Sequence, residues 1–167
     1  MYELRLNTST GPKEIITNMF EPRDKNYEEK VKLSFDRQPI TKTLSLKIEQ
    51  ITPGGVELSM PYNKSLTQQH GFLHGGIVTT GLDNACGYAA FSLMEPESAI
   101  LSVEFKTSLL APAKGEIFLF KAEVVKAGRT LTFVEAKAFA LDSGEEKLIA
   151  TMTATMMSII GRENIKQ

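Results

Sequence analysis

The chain has 167 residues, 19 Lys and Arg against 20 Asp and Glu, one cysteine and two histidines, with a formal charge of −1. That length suits one folding unit that buries about two-thirds of its unfolded surface, and the balanced charge excludes a nucleic-acid binder, which needs a basic excess to neutralise phosphates. With Cys86 alone no internal disulfide can form, and neither the start MYELRLNTSTGPKE nor any later stretch is apolar enough for a leader or a membrane span, so the expectation is a soluble cytoplasmic protein with no membrane partner.

Residues 1–40 differ in texture from the rest and are expected to form a helical N-terminal extension, followed by a domain over residues 41–160. Pro12 can open a helix with Ile15, Ile16, Met19 and Phe20 on its apolar side. Tyr27, Val31 and Phe35 make a second stripe at i, i+4, i+8. The charges between them form a solvated face, and no chemistry is assigned to this extension.

From Thr43 the period changes to two. Leu44, Leu46 and Ile48 alternate with Ser45, Lys47 and Glu49, as in a strand with one wet face. Pro53-Gly54-Gly55 reads as a turn, after which Val56, Leu58 and Met60 alternate again. A helix is predicted over about 75–93, with Val78, Leu82, Ala85, Ala89 and Leu93 on one side. Thr79, Asp83, Cys86 and Ala90 make a small, polar side that either faces a partner helix or fits beneath a curved sheet. Four long alternating segments follow: AILSVEFKTSLL, GEIFLFKAEVVK, TLTFVEAKAFALD and EKLIATMTATMMSII. The breaks at 112–115, 127–129 and 142–144 are short enough for hairpins, so these strands are expected to meander. The order predicts an α+β protein whose single central helix covers one face of an antiparallel sheet.

Both histidines lie in QQHGFLHGGIVTTGLDNACGYAA. His70 and His74 at i, i+4 have a zinc-like spacing, but Gly71, Gly75 and Gly76 crowd the interval and no Glu follows His70. GGIVTTG has neither the lysine of a phosphate loop nor GxGxxG spacing. Cys86 in an Ala- and Gly-rich helix reads as packing rather than as a nucleophile. What remains is Gly75-Gly76 at a helix start, where the first amides lack intrahelical partners and the dipole is positive. Glycine there lets a carbonyl approach closely, which makes a main-chain oxyanion site for acyl transfer. Asp83, midway along an apolar helix, is then the candidate base or nucleophile. The other reading is a simple turn at the glycines and a carboxylate that bonds a neighbouring strand. On the residues alone the two stand level.

Gly71-x-x-His74-Gly75-Gly76 with Asp83 nine residues after the histidine resembles the hotdog-fold acyl-CoA thioesterases of the phenylacetate-pathway, PaaI-like type. SVEFKTSLLAPAKGE and KAGRTLTFVEAKAF resemble the same family's strands, and the resemblance covers about residues 43–158. It implies a hotdog fold, with a curved antiparallel sheet wrapped around one helix, assembled as homodimers or homotetramers. It also implies thioester hydrolysis with no metal and no cofactor beyond the coenzyme A of the substrate. By the same resemblance Asp83 is the catalytic carboxylate, Gly75 the amide that polarises the thioester carbonyl, and His74 an orienting group. Ser102 matches a serine near the attacking water. Gln68 stands where relatives often carry Asn, so an amide is kept on a longer side chain. His70 matches no functional position. Gly76 is expected to bind substrate, and Lys126 and Arg129 around the 127–128 turn either meet the nucleotide end of coenzyme A or form a basic hairpin tip in water.

Two other functions fit the same pocket: a non-catalytic acyl-CoA-binding or sensing module, and an enoyl-CoA hydratase. Asp83 with Ser102 favours hydrolysis over pure binding, and a hydratase would pair an Asp with a nearby His in a motif this chain lacks. The acyl group is not legible. Met60, Met94, Met152, Met156 and Met157 suit either an adaptable lining or core filling. Each active site is expected to be shared by two chains, because Gly75 and Asp83 of one helix lie about 12 Å apart along its axis.

Overall fold

The computed structural model describes residues 20–161, so the expected Pro12 helix lies outside them except for Phe20, which packs against the core. The second stripe forms helix α1, Tyr27–Arg37. Val31 and Phe35 are buried, and the Phe35 ring meets Tyr88 with centroids 5.5 Å apart. Glu28 and Glu29 in the first turn and Arg37 in the last complement the helix dipole. Lys30 reaches across to donate to Met94 O at 2.5 Å, with its ammonium 4.7 Å from the Phe91 ring centre. Burial there lowers its pKa, against the opposing pull of Asp24 and Glu95.

A short helix α2, Pro39–Thr43, comes next, ending where the predicted alternation begins. Pro39 supplies a fixed helical φ at the first position, and Leu44 closes the turn by donating to Ile40 O at 3.0 Å. Ser45 then takes φ +54°, so Leu44 and Leu46 are both buried although strand β1 begins only at Lys47 and runs to Thr52. Gly54, at φ +80°, makes the turn into β2, Gly55–Pro61, a backbone shape that few residues other than glycine adopt.

The remaining elements are α3, Gly75–Phe91, then β3, Ala99–Leu109, β4, Ile117–Ala127, β5, Leu131–Asp142, and β6, Glu145–Ile159. The strands form one antiparallel sheet in the order β1-β2-β4-β5-β6-β3. β4, β5 and β6 are consecutive neighbours as the expected meander has them, but its first connection is corrected: β3 pairs with β6 at the far edge, and the 110–116 link crosses over instead of making a hairpin. Pro112 has no amide to continue a ladder. The link is held by Leu110 and Ala111 donating to Ile149 O, and Ala113 O receives the amide of Leu73 beside the start of α3.

The curved sheet wraps α3, which packs on β2 through β6. Val78, Leu82, Ala85 and Ala89 are buried, and so is Leu93 just beyond the helix. Gly81 lets the helix sit down on the sheet, since a Cβ there would come within 2.4 Å of the Phe120 ring. Met60, Met94, Met152 and Met156 are core residues, which favours the filling role. Only part of the expected small side is open. Cys86 and Ala90 are fully buried under the chain's own sheet, because the sheet curls further around the helix than a flat one would. The open face instead runs Gly76, Thr79, Thr80, Asp83 and Gly87. Beside it, edge strand β3 exposes Leu101, Val103, Phe105 and Leu109. Among the described residues no helix is long and apolar enough to cross a membrane.

Candidate active site

His74 is the N-cap of α3, and its Nδ1 accepts the Gly76 amide at 3.0 Å. An imidazole nitrogen that accepts carries its proton, when neutral, on the other nitrogen. His74 thus fixes the helix start, and the Gly76 amide is spent on its ring. The Gly75 amide, by contrast, has no acceptor among the described residues. It is an orphan donor at the positive end of a 17-residue helix, the requirement for an oxyanion site. A Cβ at Gly75 would meet Leu109 Cδ1 at 2.6 Å, a contact that the exposed tip of that side chain can relieve.

Gln68 and Gly75 both line a largely apolar cavity of about 360 Å³ with Phe72, Leu73, Val78 and Leu109 among its other walls. The Gln68 side-chain oxygen accepts the His70 amide at 2.7 Å, which tightens the turn that leads through Gly71 to the helix start. His70 itself is exposed. Among the described residues no three His, Cys, Asp or Glu side chains gather where a metal ion could sit.

Asp83 stands two turns further along α3, half-buried. Ser102 Oγ donates to its Oδ1 at 2.7 Å. The ladder between β3 and β6 slips between Ser102 and Glu104, and such a bulge re-aims side chains at a strand edge. A second cavity of about 90 Å³ opens here, lined by Gln38, Asp83, Asn84, Gly87, Tyr88, Ile100 and Ser102. Tyr88 OH donates to Gln38 Oε1 at 3.1 Å. Burial pushes its pKa up to about 12, with Asp36 adding to the rise and Ser34 opposing it, so it stays a donor at neutral pH. Cys86 is buried with its thiol 3.9 Å from Met152 Sδ. Burial, reinforced by the charge of Asp83, pushes the thiol pKa far above its ordinary value, which suits packing and not nucleophilic attack.

One chain therefore brings Asp83 to Ser102, and Gln68 to Gly75, but keeps these two pairs in separate cavities. Lys126 and Arg129 lie elsewhere again. They are exposed at the β4–β5 turn, where Arg129 shares a cavity with Leu93 and Met94 beyond the C-terminal end of α3, and Arg23 donates to Gly128 O at 3.4 Å. Sequence reasoning missed Gln38, Asn84 and Tyr88. Asn84 carried the same signal that singled out Asp83, a polar residue amid an apolar helix. Gln38 sat in the segment to which no chemistry was assigned, and nothing local marks it.

Comparison with known proteins bears on the same segment. The family model of the thioesterase superfamily matches residues 70–147, which include His74, Gly75, Asp83 and Ser102. A thioesterase family protein from Silicibacter pomeroyi is similar in structure with a TM-score of 0.80 and 63% sequence identity, over 81% of this chain and 99% of that one. The Escherichia coli PaaI protein of the phenylacetic acid degradation operon shares the fold alone, with a TM-score of 0.73 at 18% identity over 81% of this chain and 95% of that one. Human acyl-coenzyme A thioesterase 13 is 35% identical over 82 residues, 48% of this chain and 58% of that protein. The wrapped helix, the orphan amide at its start and the match to the Silicibacter protein over nearly all of that chain agree: this chain belongs to the thioesterase superfamily and is a hotdog-fold thioester hydrolase.

Proposed function

We propose that the chain hydrolyses the thioester of an acyl- or aryl-coenzyme A, using a carboxylate and a main-chain amide and no metal or further cofactor. The observation that carries this reading is the pairing on one helix of an amide without an acceptor, at Gly75, and a serine-bonded carboxylate, at Asp83. In this reading the Gly75 N–H takes the thioester oxygen as negative charge develops on it. Asp83 takes the proton of water, or attacks the carbonyl itself, while Ser102 fixes the carboxylate's rotation. His74 holds the helix start in place. Gln68 orders the approach to Gly75, and Gly76 leaves room for the substrate. Lys126 and Arg129 meet the phosphates of coenzyme A. The similarity to acyl-coenzyme A thioesterase 13 supports coenzyme A as the thiol.

A base must come within about 3 Å of the atom it serves, whereas Gly75 and Asp83 sit eight residues apart on α3, about 12 Å along its axis. Two copies packed with their helices antiparallel across a two-fold axis would bring the Gly75 cavity of each beside the Asp83 cavity of the other. The apolar row on edge strand β3 and the open face of α3 are the surfaces such a homodimer would cover, alone or as half of a tetramer. Residues 41–160 would form this thioesterase domain, acting in the cytoplasm, with residues 1–40 as an extension that reaches the site through Gln38.

The test is a panel of alkyl- and aryl-coenzyme A thioesters assayed for free thiol. Turnover of at least one, abolished in Asp83→Asn, is the expected result. Tight binding with no thiol released from any would favour the non-catalytic binding module instead.

A further inference from the structure

Asn84 follows Asp83 on α3 and is 7% exposed. Its amide nitrogen donates to Thr80 O at 2.9 Å, one turn back. Its Oδ1 has no hydrogen-bond partner among the described residues. A buried acceptor without a donor is costly, and native structures rarely leave one so. Asn84 also lines the 90 Å³ cavity that holds Asp83, Ser102, Gln38 and Tyr88. A water needs on the order of 10–15 Å³ of such space and a few polar partners, so this cavity has room for more than one. Its polar walls suit water better than an alkyl chain.

We infer that Asn84 is a positioning residue for the hydrolytic step: its Oδ1 accepts one hydrogen of the water whose other hydrogen faces Asp83. The inference rests on the reading of Asp83 as the base. In that step the water oxygen bonds to the thioester carbonyl carbon as Asp83 takes one proton. The tetrahedral intermediate then collapses, the C–S bond breaks, and the proton passes from Asp83 to the departing sulfur. The products are a carboxylic acid and a thiol, with no change of oxidation state. Asn84 neither gives nor takes a proton. It holds the second hydrogen, so that a lone pair of the water faces the carbon.

The experiment compares Asn84→Thr with Asn84→Val in the full-length protein, on an acyl-coenzyme A that the wild type turns over. The two side chains have the same shape and differ by one hydroxyl. A helical Thr can donate to the carbonyl four residues back, here Thr80 O, and still accept from water. Val can do neither. The expected kcat of Asn84→Thr is about tenfold or more above that of Asn84→Val, with KM values within about twofold of each other. A packing defect would be shared by both variants and would not produce this split. If the larger residues prevent folding, Asn84→Ser against Asn84→Ala reads the same difference with less bulk. Equal kcat within the pair, in an enzyme whose wild type is active and whose Asp83→Asn is dead, overturns the role of Asn84 alone. A wild type that releases no thiol overturns the reading of Asp83 and this inference with it.

Discussion

A sharp test of the shared site is complementation between two inactive variants. Asp83→Ala removes the carboxylate and leaves Ser102 without its acceptor. Gly75→Pro removes the amide hydrogen, and the structure indicates that proline can fit there. His74 has φ −61° and ψ 136°, the extended shape that a residue before proline prefers. Gly75 is the first helical residue, where proline is favoured, and its amide serves no acceptor among the described residues. The new side chain would press on Leu109 Cδ1, 2.6 Å from the Cβ position, but that is the tip of an exposed side chain and can swing aside. Gly75→Ala brings the same pressure with the N–H retained, so it serves as the steric control and should keep most activity. Loss of an oxyanion donor costs about 10²–10³ in kcat, and loss of a general base about 10²–10⁴, so each variant alone should run at or below about 1% of wild type. Random reassortment of an equal mixture makes half the dimers mixed, each with one intact site, so about a quarter of wild-type activity should return. Thiol release is read after co-refolding, with dimer exchange confirmed by tagging one variant. If both variants fold and exchange yet the mixture stays near the level of either alone, two chains do not share the site, and Asp83 serves its own chain or none.

Exhaustive dialysis against a strong chelator should leave the rate of hydrolysis unchanged, and a loss that zinc restores would revive the pair His70 and His74 as ligands. Gln68→Ala should lower kcat more than it raises KM, because its side chain ties the turn that sets the Gly75 amide and the interaction matters most in the transition state; unchanged kcat would leave it a structural role only. Cys86 should resist alkylation in the folded protein at pH 8, since burial pushes its thiol pKa far upward, and Cys86→Ala should keep kcat near wild type. Rapid native-state alkylation that inactivates would contradict this.

Periodicity made most elements legible. The strand alternation located β1 through β6, with β1 started too early, and the stripe from Val78 to Leu93 located α3 to within a turn at its end. It failed where burial alternates without a strand, at Leu44 and Leu46, because a buried–exposed pattern is also what α2 followed by a left-handed Ser45 produces. Pairing partners were not legible either. Local turn length suggested that β3 and β4 are neighbours, whereas β3 pairs instead with β6 at the far edge. At the site, glycines before a helix and a lone carboxylate within it could be read from residue types. Only the family resemblance marked Ser102, as a serine near the attacking water, and its bond to Asp83, Gln38 and the unpartnered Asn84 oxygen needed three dimensions, because each depends on which residues the fold brings together.

The crossover also bears on how the site comes into being. Helix α3 is local and can form early, but Ser102 is held in a strand whose ladder partner is β6, with Ser102 opposite Met156. The carboxylate therefore meets its serine only after the last strand of the chain has docked, a non-local pairing that closes slowly. During refolding, hydrolytic competence should lag behind the far-ultraviolet signal of the helix. Any lesion that delays β6, however distant from Asp83, would lengthen the time during which the chain is largely formed and still inert.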